Sequence, residues 1–352
     1  TVYPLRDITS LTFKNYIMKY TARRIAAEEF GRLFTLPPYV YDSVPFNELN
    51  SDKVKAVHYI AITDGNKVRF GIVLGERGSD CGSTFYSPFS APFGSFLSNT
   101  PQRMESMETA VDALREYVMN ICCNGGPLSA HDGKPLAVLT LPPEIYLPSE
   151  TSKWVNVLTR KARLHHVDLN YFMPLNADTP YVNRLNRNAR KNLNNACKHE
   201  WKFEKLDTSS FADISRAYGI ISLNRKEHGY PLRMTLDAVV DTTKIVEADF
   251  FVLSLKNPDV NIANGFIDVA AAQVFHVASG IVQVIYWGDL GAYSHFRTMN
   301  RLAEFLYSHY SKLGLKILDI GPSTEEGTPN YGLCSFKEDI GCSVCTKYVF
   351  EL

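Results

Sequence analysis

The sequence has no apolar run approaching the ~20 residues that a membrane-spanning helix needs. Its opening, Thr1-Val-Tyr-Pro-Leu-Arg-Asp, lacks a basic segment followed by an apolar core, so no secretory leader is expected. Net charge is absent too: 37 Lys and Arg balance 37 Asp and Glu. That balance argues against an obligate DNA binder and leaves nucleic-acid contact to a local basic patch. Cysteine is sparse and unpatterned. The seven, Cys81, Cys122, Cys123, Cys197, Cys334, Cys342 and Cys345, are an odd number without framework spacing, which suits a reducing cytoplasm. Cys342-Ser-Val-Cys345 is a lone CxxC with no second pair or nearby HxxxH, so packing on the last strand is expected rather than a metal site. No segment sustains heptad spacing over several repeats. The 352 residues that remain to be explained are enough for two domains with cores of their own.

Periodicity divides the chain into two halves with the same order of parts. In the first, Ala56-Val-His-Tyr-Ile-Ala-Ile and Val68-Arg-Phe-Gly-Ile-Val-Leu flank Asp64-Gly-Asn, a hairpin whose turn needs positive φ. The loop Ser87-Pro-Phe-Ser-Ala-Pro-Phe-Gly-Ser-Phe96 follows, readable either as a ligand wall or as buried packing. A helix near 101–121, with Thr100 as cap and Pro101 in its first turn, carries Met104, Met107, Val111, Leu114, Val118 and Ile121 at steps of three and four. A strand at 136–141, a helix near 150–163 and a strand around 167–173 complete this half. Residues 8–35 look helical and extend it.

The second half presents strands at 250–255, 262–269, 273–277 and 281–287, then the loop Gly288-Asp-Leu-Gly-Ala-Tyr-Ser294. Its helix, capped by Ser294, carries Phe296, Met299, Ala303, Leu306, Tyr310 and Leu313, and the strand Lys316-Ile-Leu-Asp-Ile comes next. Asn176-Ala-Asp-Thr-Pro180 reads as the linker, giving domains 1–178 and 179–352. The expected class is α/β of the mixed α+β kind, two tandem domains, each a twisted central sheet flanked by helices.

Two basic features stand out. A polar helix over 181–198 contains Arg184, Arg187, Arg190, Lys191 and Lys198 and no acidic residue. Like charges sharing a face cost stability, so this is either an anion-binding surface or a solvated basic face. Arg225-Lys-Glu-His-Gly229 follows a helix around 214–223; Arg225 either contacts an anionic substrate or pairs with Glu227 or Asp237.

The run Val282-Gln-Val-Ile-Tyr-Trp-Gly-Asp289, the strand ending Gly321-Pro322 and Ser335-Phe-Lys-Glu-Asp-Ile-Gly341 resemble the C-terminal half of the Fem-type (FemAB-like) peptidyltransferases, members of the GNAT-like acyltransferase class. Arg187-Asn-Ala-Arg-Lys and Ala196-Cys-Lys198 resemble the basic helix that opens the second domain of that family. The resemblance implies a cytoplasmic acyltransferase that moves an aminoacyl or acyl group to an amine of a cell-envelope precursor or saccharide. Acyl transfer needs a deprotonated amine, a positioned carbonyl and a partner for the oxyanion. By resemblance to the family's Phe-Lys…Gly motif, Lys337 is that charge partner, so Lys337→Met should lower turnover with little loss of stability. Asp289 is the candidate proton acceptor and Tyr293 a candidate donor to the leaving group. Arg187, Arg190, Lys191, Arg225, Trp287, Tyr331 and Phe336 are the substrate-binding candidates, at a site between the domains where strands 281–287 and 316–320 end. No tightly bound cofactor is expected. The donor is acyl-CoA or aminoacyl-tRNA, and the acceptor a small molecule, peptide or saccharide. The turn 288–294 lacks the Arg/Gln-x-x-Gly-x-Gly/Ala cradle of acetyl-CoA-dependent members, so donor identity stays open. Two other readings are an acetyl-CoA-dependent N-acetyltransferase and a catalytically silent GNAT-like module that binds a peptide or glycan.

Overall fold

The computed structural model describes residues 19–79, 82–122, 135–230, 232–256 and 265–352. The first half runs β1 (Thr21–Ile25), α1 (Ala27–Leu33), α2 (Val44–Leu49), β2 (Ala56–Asp64), β3 (Lys67–Ser79), β4 (Gly82–Ser87), α3 (Met104–Cys122), β5 (Ala137–Thr140), α4 (Pro148–Lys161) and β6 (Arg163–Pro174). The second runs α5 (Arg187–Ala196), β7 (Trp201–Lys205), α6 (Phe211–Glu227), α7 (Leu236–Thr243), β8 (Ala248–Lys256), β9 (Phe266–Ala278), β10 (Ile281–Asp289), α8 (Thr298–Lys312), β11 (Ile317–Pro322), β12 (Thr324–Glu325), β13 (Thr328–Pro329), α9 (Tyr331–Asp339) and β14 (Ser343–Glu351). From β1 and from β7 the order is alike: an edge strand, two helices, three antiparallel strands, a helix, a parallel strand, a helix and a last strand. The fold is mixed α/β, with a large sheet flanked by helices.

The two half-sheets are joined. Among the described residues, the strand order β1-β2-β3-β4-β5-β14-β6-β11-β10-β9-β8-β7 is a single ladder of 12 strands. At its middle the halves exchange their last strands: β14 lies beside β5, and β6 lies beside β11. The two exchanged strands also pair with each other from Ser343↔Phe172 to Glu351↔Arg163.

Local chemistry accounts for most boundaries. Gly65, at φ +56, supplies the left-handed position of the two-residue turn between β2 and β3. The stripe on α3 buries Met107, Val111, Leu114 and Val118 against Ile60, Ile62, Phe70, Ile72 and Phe85 of the sheet. In the second half, α5 and α8 cover one face of β8–β11, and α6 and α7 cover the other.

Several expectations need correction. Residues 8–18 of the proposed helical extension lie outside the described residues; Thr21–Ile25 is a strand, and only Ala27–Leu33 is helical. Its Thr21, Ala22 and Ile25 pair across to β2, which overrides helix propensity. The helix α3 begins at Met104, so Thr100 is no cap; its carbonyl and hydroxyl instead accept from Gln102 Nε2 at 2.8 and 3.0 Å. Of the two strands expected at 262–269 and 273–277, residues 262–264 lie outside the described residues, and the rest belongs to one 13-residue strand, Phe266–Ala278. Ser294 lies inside a 3-10 turn, and Arg297, at φ 63, sits at the α8 N-cap position. On α8, Leu302 and Tyr307 join the buried stripe while Leu313 is exposed. The helix over 181–198 is broken: a 3-10 turn, Tyr181–Arg184, precedes α5, and Asn186 caps α5 by accepting from Ala189 N.

Candidate active site at the splayed strands

Parallel pairing of β10 and β11 lasts for three residues, Ile281↔Ile317, Val282↔Leu318 and Gln283↔Asp319. Beyond that vertex β10 follows β9 as far as Asp289↔Ala270, with a bulge between Val284 and Tyr286. The other arm, β11, follows β6 to Pro322↔Asn170, with a bulge between Asp319 and Gly321. The strands diverge and leave a slot whose walls are strand edges, at the carboxyl ends where α/β sheets receive ligands.

The corresponding place in the first half is filled. There β4 and β5 pair in parallel over Phe85↔Ala137, Tyr86↔Val138 and Ser87↔Leu139. The loop 88–96 then closes the gap: Gly94 N donates to Thr140 O at 3.0 Å, and Phe93 is fully buried. Ser95 anchors the loop by donating from N and Oγ to Asp42 at 3.2 and 2.6 Å. Of the two readings of this loop, buried packing is the one the structure has.

Lys337 reaches the open slot from α9. Its ammonium donates to the carbonyls of Ile320, Gly321 and Pro322 at 3.2, 2.8 and 2.9 Å. These are the carbonyls of β11 just past the vertex, and the lysine supplies donors where β10 has moved away. Burial lowers the Lys337 pKa to about 8. All three ammonium protons have partners, so contact with an oxyanion requires one of them to be released. Little loss of stability on Lys337→Met is therefore not what this geometry supports. Phe336, the next residue on α9, faces Trp287 of β10 with ring centroids 6.1 Å apart. Tyr331, at the start of α9, is exposed.

Arg225, in the last turn of α6, lies over the Tyr286 ring at 5.3 Å. Its Nε is buried without a hydrogen-bond partner among the described residues, and there its charge meets no carboxylate of Glu227 or Asp237 in an ion pair. Glu227 instead accepts from Gly291 N at 3.0 Å. Among the described residues, the cation beside the slot thus has no carboxylate partner.

Asp289 ends β10, and Tyr293 follows in the next turn. Asp289 is buried, which raises its carboxyl pKa, and it accepts from Thr298 Oγ1 in the first turn of α8. Tyr293 sits in the 3-10 turn Gly291–Phe296, where its N donates to Leu290 O at 2.9 Å. No hydrogen bond or ion pair among the described residues joins either of them to Lys337. Gly288, next to Asp289, has no room for a side chain: an added Cβ would meet Asn224 at 2.4 Å. Asn224 Nδ2 also donates to Asp289 O at 2.7 Å. Gly288→Ala should therefore cost about 1–3 kcal/mol of stability, as overpacking does, and chemical denaturation would measure it. Removing the obstacle in Gly288→Ala/Asn224→Ala should recover part of that loss.

Arg187, Arg190 and Lys191 line a groove of about 560 Å³ with Leu185, Asn186, Asn194, Asn195 and Lys198. Arg190 Nε is committed to the carbonyls of Val182 and Leu185 at 3.1 and 3.0 Å, whereas Arg187 and Lys191 are exposed. The groove adjoins the far end of α9: Asn186 Nδ2 donates to Asp339, and Tyr181 OH donates to Ile340 O at 3.0 Å. One helix thus touches both the basic groove and the slot. The CxxC cysteines are free thiols; Cys345 lies on β14, and burial pushes Cys342 up to about 12.

Sequence reasoning passed over the group at the vertex. Asp319, fully buried, accepts four hydrogen bonds: Asn170 Nδ2 at 2.8 Å, Gly321 N at 2.9 Å, Tyr146 OH at 2.7 Å and Gln283 Nε2 at 2.7 Å. Gln283 Oε1 accepts in turn from Tyr41 OH at 2.6 Å. The available signal was a polar residue inside each of two apolar strands, at 283 and 319, since burial of such groups demands partners.

No protein-family model matches the chain, and no curated protein matches its sequence. Solved structures do match in fold. FemX superposes with a TM-score of 0.61 at 13% identity, covering 94% of this chain and 97% of its own. The C-terminal domain of a putative lysylphosphatidylglycerol synthetase from Agrobacterium fabrum gives 0.53 at 12% identity, covering 93% and 92%. L-PGS from Bacillus licheniformis gives 0.53 at 10% identity, covering 94% and 92%. Over nearly its whole length the chain is similar in fold to FemX, in keeping with the resemblance of its motifs to the Fem type.

Proposed function

We propose that the chain is a cytoplasmic acyltransferase that moves an aminoacyl or acyl group to an amine on a cell-envelope precursor or saccharide. The observation that carries this is the open slot between β10 and β11, with Lys337 and Arg225 beside it. In the step proposed, the amine nitrogen attacks the donor carbonyl and a C–N bond forms. The oxyanion gains the Lys337 ammonium as one of its carbonyl partners lets go. The amine proton leaves to Asp289 through water, and the C–O or C–S bond to the donor breaks, with Tyr293 giving the leaving atom its proton. Arg225 and the Arg187–Lys191 groove hold anionic parts of the substrates; Trp287, Phe336 and Tyr331 flank the acyl group.

Between the two donors, one contact favours aminoacyl-tRNA over acyl-CoA. In the turn after β10, Gly291 N–H, a group suited to a pyrophosphate, is taken by the Glu227 carboxylate. A silent binding module is the second reading, favoured by the full set of partners on the Lys337 ammonium. Incubation with aminoacyl-tRNA and acyl-CoA donors against a panel of amines separates the readings. Turnover with either donor supports transfer; its absence, with glycan or peptide binding retained, supports the module.

The groove makes a separate prediction. Arg187→Ala should weaken acceptor binding about two- to fivefold at low ionic strength, and the effect should shrink in 0.15 M salt because exposed charges are screened. Titration at two salt concentrations tests it; equal loss at both would remove Arg187 from the site.

A further inference from the structure

We infer that Asp319 is a positioning residue which mounts the open slot of the second half on the filled slot of the first, through the hydroxyls of Tyr146 and Tyr41. The inference rests on the transfer reading for its kinetic consequence, but its structural core is independent of that reading.

The hydrogen bonds are arranged as a brace. Gln283 and Asp319 are the last paired residues before β10 and β11 part, so they fix where the slot begins. Asp319 Oδ1 holds Gly321 N, two residues on, which stabilises the bulge that turns β11 away. Gly321, at φ +77, takes the conformation that this bend needs. The bend in turn presents the carbonyls of residues 320–322 to Lys337. Asp319 therefore acts on the slot through its own strand.

Its other partners come from outside the second-half sheet. Tyr146 lies in the turn after β5 and Asn170 on the exchanged strand β6, while Tyr41, in a 3-10 turn, donates to the shared partner Gln283. Both tyrosine rings pack on Phe93, the residue that fills the first-half slot, at 4.6 and 5.3 Å between centroids. Burial, followed by the charge of Asp319, holds both phenols well above their ordinary range, so both remain donors. The aromatic loop that closes one slot thus supports, through Phe93, the two tyrosines whose hydroxyls brace the other. A purely space-filling plug would need rings there and no hydroxyls.

The test uses the full chain and three variants, Tyr146→Phe, Asp319→Asn and Asp319→Asn/Gln283→Glu, with two readouts. The first is amide hydrogen exchange followed by mass spectrometry. Tyr146→Phe should speed exchange in peptides covering 318–323 and 283–289 by about tenfold or more, the effect of one lost bond to a charged acceptor. Peptides from β8 and β2 should hold their wild-type rates. Asp319→Asn sets an amide against donors and should do more; the double variant, which returns a carboxylate to the cluster from position 283, should recover part of the protection. The second readout is transfer. For a positioning residue, kcat per folded molecule falls about tenfold in Tyr146→Phe while acceptor KM stays within about twofold. Unchanged exchange around the slot, or an equal rise throughout the sheet, would overturn the brace. Unchanged kcat with loosened arms would overturn its role in positioning. Absence of wild-type turnover with every donor sinks the transfer reading alone, and the exchange result still decides the brace.

Discussion

Lys337→Met should lower the stability of the whole protein by about 3 kcal/mol or more and reduce turnover in the molecules that stay folded. The first part follows from counting partners. Methionine fills the volume but donates nothing, so the carbonyls of Ile320, Gly321 and Pro322 lose their donor together, and each buried unsatisfied group costs about 1–3 kcal/mol. Removing a desolvated charge returns part of that, which keeps the expected loss below the full sum. Against a total stability of about 5–15 kcal/mol the variant should still fold, with a lower denaturation midpoint. The second part follows from the slot. With the ammonium gone, the carbonyls at the bent end of β11 lose their shared donor, and the charge proposed for the oxyanion is absent. A pH series separates these roles. The wild type should lose turnover as pH rises through about 8, where Lys337 gives up its proton, and Lys337→Met should show a low rate without that limb. The stability sign is the opposite of a paired lysine. A folded pKa below the unfolded value means that the unfolded chain binds more protons between the two, so this group adds stability as pH rises from about 8 toward its ordinary value. If the folded fraction of Lys337→Met turned out fully active, the lysine would be a strut only, and the site assigned around it would fall with it.

Hydropathy period made the repeated order of elements legible, because a stripe such as Met107, Val111, Leu114 and Val118 encodes a helix face locally. Strand exchange left no such mark. Whether β6 lies beside β5 or β11 depends on partners about 150 residues away, and the pattern within 163–174 is the same either way. The break before α5 was hidden for a related reason: Leu185 is buried in the core and Asn186 caps the next helix, while basic residues on both sides suggested continuity. At the site, Lys337 and Arg225 were legible as cations near a sheet end. What the sequence could not state was their state of pairing. Three backbone carbonyls saturate the first, and among the described residues an aromatic ring with no carboxylate accompanies the second. Asp319 was overlooked because a lone carboxylate in an apolar strand announces a need for donors without saying where they come from; here one comes from Tyr146 of the first half, and another from Gln283, whose own amide oxygen is held by Tyr41.

Truncation before β14 should abolish cooperative folding of the first half, although it removes only the end of the second. Val349–Glu351 pair with β5, and Leu352 exchanges backbone bonds of 2.9 Å with Leu136 and Ala137. Phe350 is fully buried in the first-half core with Met107, Leu114 and Trp154. Loss of that ring alone is worth about 3–5 kcal/mol, and the strand's ladder bonds to β5 and β6 go with it. The sum reaches the range of a whole domain's stability, so a chain ending at residue 342 should lose its sharp thermal transition by circular dichroism. Phe350→Ala is the milder form, with the same direction and a retained fold. We place the join between the halves near residue 178, and the exchange makes a further demand on pieces cut there. Residues 1–178 carry β6 without β11, and residues 179–352 carry β14 without β5. Each piece made alone therefore has an unpaired strand and an open sheet edge, conditions that favour aggregation. Made together, the two should assemble and restore the transition, since every strand then has its partner. A cooperative melt in residues 1–178 alone would mean that β6 can occupy the place of β14 beside β5, and the exchange would then be one of two arrangements the sequence permits.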